Sequence, residues 1–196
     1  MDQQRGPSTL PRQNTVRSQT LTLLDFEPGV FANFVWQNTA IIVWSSRPTG
    51  PAAERVASVA AKVVPDFHEG FSVIHVLKVG VRVPTVEARA IFVEMMHQHA
   101  AQLACVVSVL LGTGFMVSAL QSVITGMGML TPRSFEYRFM SSLEAASAWL
   151  PAHHRAHTGV SLDRKALLGA LCSAYAQSVA QAEGVAVGAA TRGEGP

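Results

Sequence analysis

Apolar and polar positions along the chain switch repeatedly between a period of two and a period near 3.6, as expected of strands alternating with helices. Residues 31–36 and 40–44 are dense in aromatic and β-branched side chains, and Gln37-Asn38-Thr39 between them reads as the turn of a β-hairpin. A polar loop with Pro48 follows. Thr49 as cap and Pro51 in the first turn then open a helix whose apolar positions are Ala52, Val56, Val59, Ala60 and Val63, and Pro65 stops it. Residues 71–79 are apolar on both faces, which predicts a central strand ended by Gly80. Pro84 or Thr85 opens a long helix to about Leu103, with Glu87, Glu94 and Gln98 on one side and Phe92, Met95, Met96 and His99 on the other. Residues 104–111 predict a second buried strand, and Gly112-Thr113-Gly114 turns the chain into a further helix ended by Gly126 and Gly128.

The pattern then predicts an edge strand over 135–139, where apolar and polar residues alternate. Ser141-Ser-Leu-Glu144 has the form of a capping box, and the helix it opens, with Leu143, Ala146, Trp149 and Leu150, is closed by Pro151. An amphipathic helix over about 161–181 carries Leu167, Leu168, Leu171, Tyr175 and Val179. The predicted order is ββαβαβαβα plus one C-terminal helix. This is an α/β fold with a mixed, mostly parallel sheet and an opening antiparallel hairpin. The expected organisation is a disordered tail over 1–25, an α/β domain over 26–151, a linker over 152–160, an appended helix over 161–182 and a flexible tail over 183–196.

Composition narrows the function classes. At 196 residues, 48% hydrophobic and 14% charged, the chain can bury a large single core. A net charge of +2 without a dense basic patch argues against a nucleic-acid partner. Residues 1–20 hold no apolar core of signal-peptide length, and the two cysteines, Cys105 and Cys172, read as free thiols, so a cytoplasmic location is expected. The stretch 100–130 has no charged residue, but the glycine turn interrupts it. Beyond the turn, Ser118, Gln121, Ser122 and Thr125 share one helical face opposite Met116, Leu120, Val123 and Met127. Such a helix suits a sheet surface better than a lipid-exposed span, so no transmembrane segment is expected.

Motifs for chemistry are incomplete. The Gly112-Thr113-Gly114 turn lacks the third glycine of a dinucleotide fingerprint (Val117 stands there), and no Lys-Ser/Thr pair follows. His97 and His99 point about 160° apart on a helix. His153, His154 and His157 have no nearby Cys or carboxylate to complete a metal shell. His75 reads as a hydrogen-bonded core histidine, Cys105 as an inert buried thiol, and no Gly-x-Ser-x-Gly elbow is present. No catalytic residue, metal or cofactor is expected.

The opening hairpin, the alternation after it, and the ending FEYRFMSSLEAASAWL together resemble the STAS domains and their relatives near the CRAL-TRIO lipid-binding group over roughly residues 30–151. The resemblance implies a non-catalytic regulatory module that docks on a signalling protein, often switched by phosphorylation in an Asp-Ser-Ser-Gly-like loop. The loop at that place here is Gly80-Val-Arg-Val-Pro-Thr-Val-Glu87. It lacks the pattern, and its sole hydroxyl, Thr85, reads first as a helix cap and second as a phosphorylation candidate. The expected activity is regulation or scaffolding through a protein partner, self-association into a homodimer included, with Ser118, Gln121, Ser122 and Thr125 as the candidate contact face because they are polar but uncharged. The alternative is a domain that binds a lipid or small molecule.

Overall fold

A computed structural model describes residues 19–131 and 134–190, with residues 183–190 by backbone alone. Six strands, β1 (Thr22–Glu27), β2 (Phe31–Trp36), β3 (Thr39–Trp44), β4 (Phe71–Leu77), β5 (Leu103–Leu110) and β6 (Glu136–Met140), form one sheet in chain order. The first three run antiparallel and the last four, from β3 to β6, run parallel. Helices α1 (Gly50–Val63), α2 (Val86–Gln98) and α3 (Phe115–Met129) make the three parallel crossovers. Helices α4 (Leu143–Thr158) and α5 (Arg164–Ala190) complete the chain. The fold is α/β with a mixed sheet, an antiparallel hairpin at its start and a C-terminal helix, as the sequence pattern predicts.

The strands β3 to β6 advance steadily in one direction. Crossovers of a single hand must then all pass over the same face. Accordingly α1, α2 and α3 share a core with Phe31, Ile42, Trp44, Val73, Leu77 and Val106 on one face of the sheet. On the opposite face α4 and α5 share a core with Phe34, Ile41, Ile74, Val76, Cys105 and Val107. Each buried strand feeds both cores through its two-residue alternation, which is why β4 and β5 read as continuous apolar runs.

Three departures from the sequence expectation, at β1 and in α4, have physical causes. Residues 22–25 lie inside the expected tail, yet residues 22–27 form the edge strand β1. It pairs with β2 and is pinned from outside by Arg55 of α1. That guanidinium donates to Asp25 Oδ2 at 3.0 Å, to Glu27 Oε2 at 3.1 Å and to the Phe26 carbonyl at 2.9 Å. Asp25 and Glu27 are thus the partners of a cation that lies 30 and 28 residues further along the chain. Pro151 does not end α4, which runs on to Thr158 and stops at Gly159 in the left-handed conformation, φ 73°. An internal proline costs a helix roughly 3 kcal/mol. Leu150 and His154, both fully buried, hold the helix to the sheet across it, so the expected linker 152–160 is mostly helical. The cap of α4 is Ser142, whose hydroxyl accepts from Ala145 N–H at 3.1 Å, one residue later than the capping box predicts. Within the expected C-terminal tail, α5 continues to Ala190, while residues 1–18 and 191–196 lie outside the described residues.

The clamp on β1 can be tested by hydrogen exchange. Replacing Arg55 with Ala removes both ion pairs of an exposed group, so global stability falls by no more than about 1 kcal/mol. The amides of residues 22–27 lose protection while those of β4 and β5 keep theirs. Unchanged protection in β1 would show that the β2 ladder alone holds the edge.

Candidate functional site

On the three-helix face the core is incompletely filled. Ala40, Ala60 and Ser108 are short where their neighbours are Ile, Val and Phe. Between the sheet and α1, α2 and α3 they leave a cavity of about 80 Å3 with an open mouth. One buried water needs only ~10–15 Å3 on the same measure, so the space exceeds what a single solvent molecule fills. Its walls are overwhelmingly apolar, with Val56, Val59 and Val63 from α1, Phe92, Met95 and Met96 from α2, and Ile124 and Met127 from α3. Among the described residues that line it, none carries a formal charge.

The floor is polar. In the sheet ladder Asn33 lies opposite Ile42, Ile42 opposite His75, and His75 opposite Ser108, so three polar side chains share one row across β2, β4 and β5. The Trp44 indole N–H donates to His75 Nδ1 at 3.2 Å, and the His75 ring meets Phe92 edge-on at 6.0 Å between centroids. An Nδ1 that accepts carries no proton, so the imidazole is neutral with its hydrogen on Nε2. Burial agrees, pushing the His75 pKa down to about 4. His75 nevertheless keeps some accessible surface although it is deep in the fold, because that surface opens into the cavity. The Ser108 and Tyr137 hydroxyls bond to each other at 2.5 Å, and burial raises the tyrosine pKa well above its usual range, so both stay uncharged. Asn33 is 3% exposed, and its Oδ1 has no hydrogen-bond partner. The floor therefore offers hydrogen bonds and no charge.

The sequence-predicted site residues fall elsewhere. Ser118, Gln121, Ser122 and Thr125 lie together on the outer face of α3, all exposed, and the Ser122 hydroxyl donates back to the Ser118 carbonyl at 2.9 Å. Flanking them at the two ends of the helix are the exposed Phe115, Met116, Met129 and Leu130. Thr85 caps α2, its Oγ1 accepting from Ala88 N–H at 3.2 Å. His75 is the hydrogen-bonded core histidine expected of it. Asn33, Ser108 and Tyr137 were not singled out in the sequence. Asn33 and Ser108 each interrupt an otherwise apolar strand, and that interruption was the available signal; Tyr137 stands between Glu136 and Arg138 and carried none.

The opposite face holds a second polar cluster of different character. Ser72 Oγ lies 3.2 Å from Cys105 Sγ and 2.8 Å from His154 Nδ1, all buried. Burial raises the Cys105 pKa to about 11 and, with His157 adding repulsion, lowers that of His154 to about 4. A neutral thiol is a poor nucleophile and a poor metal ligand. Cys172 is exposed rather than buried. The histidines of α4 are split, with His153 stacked on Trp149 at 3.7 Å and His154 in the core. Among the described residues no group of three or more His, Cys, Asp or Glu is placed to hold a metal ion, and no helix is long and apolar enough to cross a membrane.

Neutral His75 makes stability pH-dependent with a definite sign. In an unfolded chain histidine titrates near about 6.5. Between there and about 4 the unfolded state takes up a proton that the folded state refuses, so stability falls as pH drops through that window and the loss is complete below it. The gap corresponds to ~3 kcal/mol, and His154 adds a loss of the same sign. Urea unfolding at neutral and mildly acidic pH measures the slope for the native protein and for His75→Gln, which cannot ionise. The variant's slope is expected to be shallower; equal slopes would mean that His75 is solvated.

No protein-family model matches the chain, and no curated protein matches it.

Proposed function

We propose that this domain works by binding, and that its ligand is a small apolar molecule held between the sheet and helices α1, α2 and α3. One observation carries the reading: a cavity with apolar walls has an uncharged polar floor, one acceptor of which is buried without a partner. Ligand sites are generally concave, mostly apolar and furnished with a few placed polar groups. A void that merely reflected loose packing would be lined by apolar atoms throughout. The resemblance to STAS domains implies docking on a protein partner, while that to their neighbours in the CRAL-TRIO lipid-binding group favours an apolar ligand.

Native mass spectrometry of the freshly purified protein is expected to show a copurified small molecule or, after delipidation, stoichiometric uptake of the apolar fluorophore 1,6-diphenylhexatriene. Ala60→Phe places a ring in the cavity from α1. It should abolish diphenylhexatriene fluorescence enhancement while leaving the melting temperature equal or higher, since filling a void adds contacts. A native protein that neither copurifies with a ligand nor takes up the fluorophore would overturn the reading.

A second reading rests on α3. Phe115 at 85% and Met129 at 80% exposure bracket the uncharged stripe Ser118, Gln121, Ser122 and Thr125. Exposed apolar side chains at both ends of an uncharged helix face suit a protein contact, since interface cores are depleted in charge. We propose that this face mediates self-association. Sedimentation velocity over a wide concentration range should show a dimer that Ser122→Arg dissociates. A native protein that stays monomeric throughout, or a variant that still dimerises, excludes α3 as the contact.

A further inference from the structure

Resting on the reading of the cavity as a ligand site, we infer that its ligand is an uncharged apolar molecule bearing a hydroxyl group, and that this hydroxyl donates to Asn33 Oδ1. Asn33 is the only polar residue of β2 and points its carboxamide to the three-helix face, where α1 covers it. Beside it Leu24 also lines the cavity. The β1–β2 register shifts between Leu23 and Asp25, so Leu24 sits in a bulge. Bulges re-aim a side chain, and this one adds an apolar group that cannot hydrogen-bond to the lining beside Asn33. The result is a buried acceptor without a partner. An acceptor left in that state costs about 1–3 kcal/mol, which a donor arriving with the ligand would recover.

The rest of the floor sets the charge of the ligand. His75 is neutral, since its Nδ1 accepts from Trp44, and its Nε2–H is left as a donor without charge. Ser108 and Tyr137 satisfy each other. Among the described lining residues there is no Lys, Arg, Asp or Glu, and burial lowers the pKa of the lining His99, so at mildly alkaline pH a carboxylate or ammonium would enter without a counter-charge, and an unpaired buried charge costs far more than a hydroxyl does. Asn33 and His75 sit on strands two apart, roughly 9–10 Å at ordinary strand spacing. One hydroxyl cannot reach both, and the orphaned group is Asn33. The polar end of the ligand therefore lies under α1 and the apolar remainder runs toward Phe92 and Met96 of α2.

Isothermal titration of the native, delipidated protein with 1-decanol, decanoate and 1-methoxydecane at mildly alkaline pH tests this with matched chains. 1-Decanol is expected to bind about 10-fold more tightly than either the acid, which is charged, or the ether, which cannot donate. Asn33→Leu should bring decanol down to the ether's affinity while diphenylhexatriene binds as before. Decanoate binding as tightly as decanol, an ether equal to the alcohol, or a decanol affinity indifferent to Asn33→Leu would each overturn the inference and leave the cavity reading standing. Failure of diphenylhexatriene and all three decyl compounds to bind would overturn the cavity reading itself. The alcohol–ether comparison needs no variant, so the inference stays testable if Asn33→Leu does not fold.

Discussion

The Trp44 N–H bond to His75 Nδ1 joins β3 to β4 in the middle of the sheet, and the character of the whole three-helix face depends on it. It fixes the imidazole as a neutral group, because a nitrogen that accepts cannot also carry a proton. It thereby keeps charge out of a volume that α1, α2 and α3 enclose with aliphatic, aromatic and thioether side chains. With His75 neutral, Ser108 and Tyr137 paired and Asn33 Oδ1 without a partner, the floor becomes a surface of hydrogen-bonding positions in a medium of low polarity, where such bonds count for more than in water.

The two faces of the sheet use polar residues in opposite ways. Under α4 and α5, Ser72, Cys105 and His154 bond to one another and the apolar residues around them, Leu150, Leu167 and Leu171, close over them fully. There the polar network knits the packing. Under the three crossover helices the short side chains Ala40, Ala60 and Ser108 withhold the volume that would finish the core. A domain that keeps one face tightly packed and the other hollow places its stability and its binding capacity in separate layers. The uncharged outer surface of α3 then lies over the hollow layer, since Leu120, Ile124 and Met127 on its inner side face that core. A contact made on α3 would therefore bear on the helix that forms part of the cavity wall.

The order of elements and the inward or outward sense of each strand were legible in the sequence because both follow from local periodicity. Residues 31–36 and 40–44 announce a hairpin, and 71–77 and 103–110 announce central strands, whatever lies around them. Thr85 declared itself a cap, and His75 a hydrogen-bonded interior histidine, for the same local reasons. Only the tertiary structure decided β1, which needs Arg55 from a helix yet to come, and the passage of α4 through Pro151, which needs the sheet beneath it. The cavity belongs to that second class. Asn33, His75, Ser108 and Tyr137 are spread over a hundred residues, and what brings them to one floor is cross-strand register, a property of paired strands that no single segment encodes.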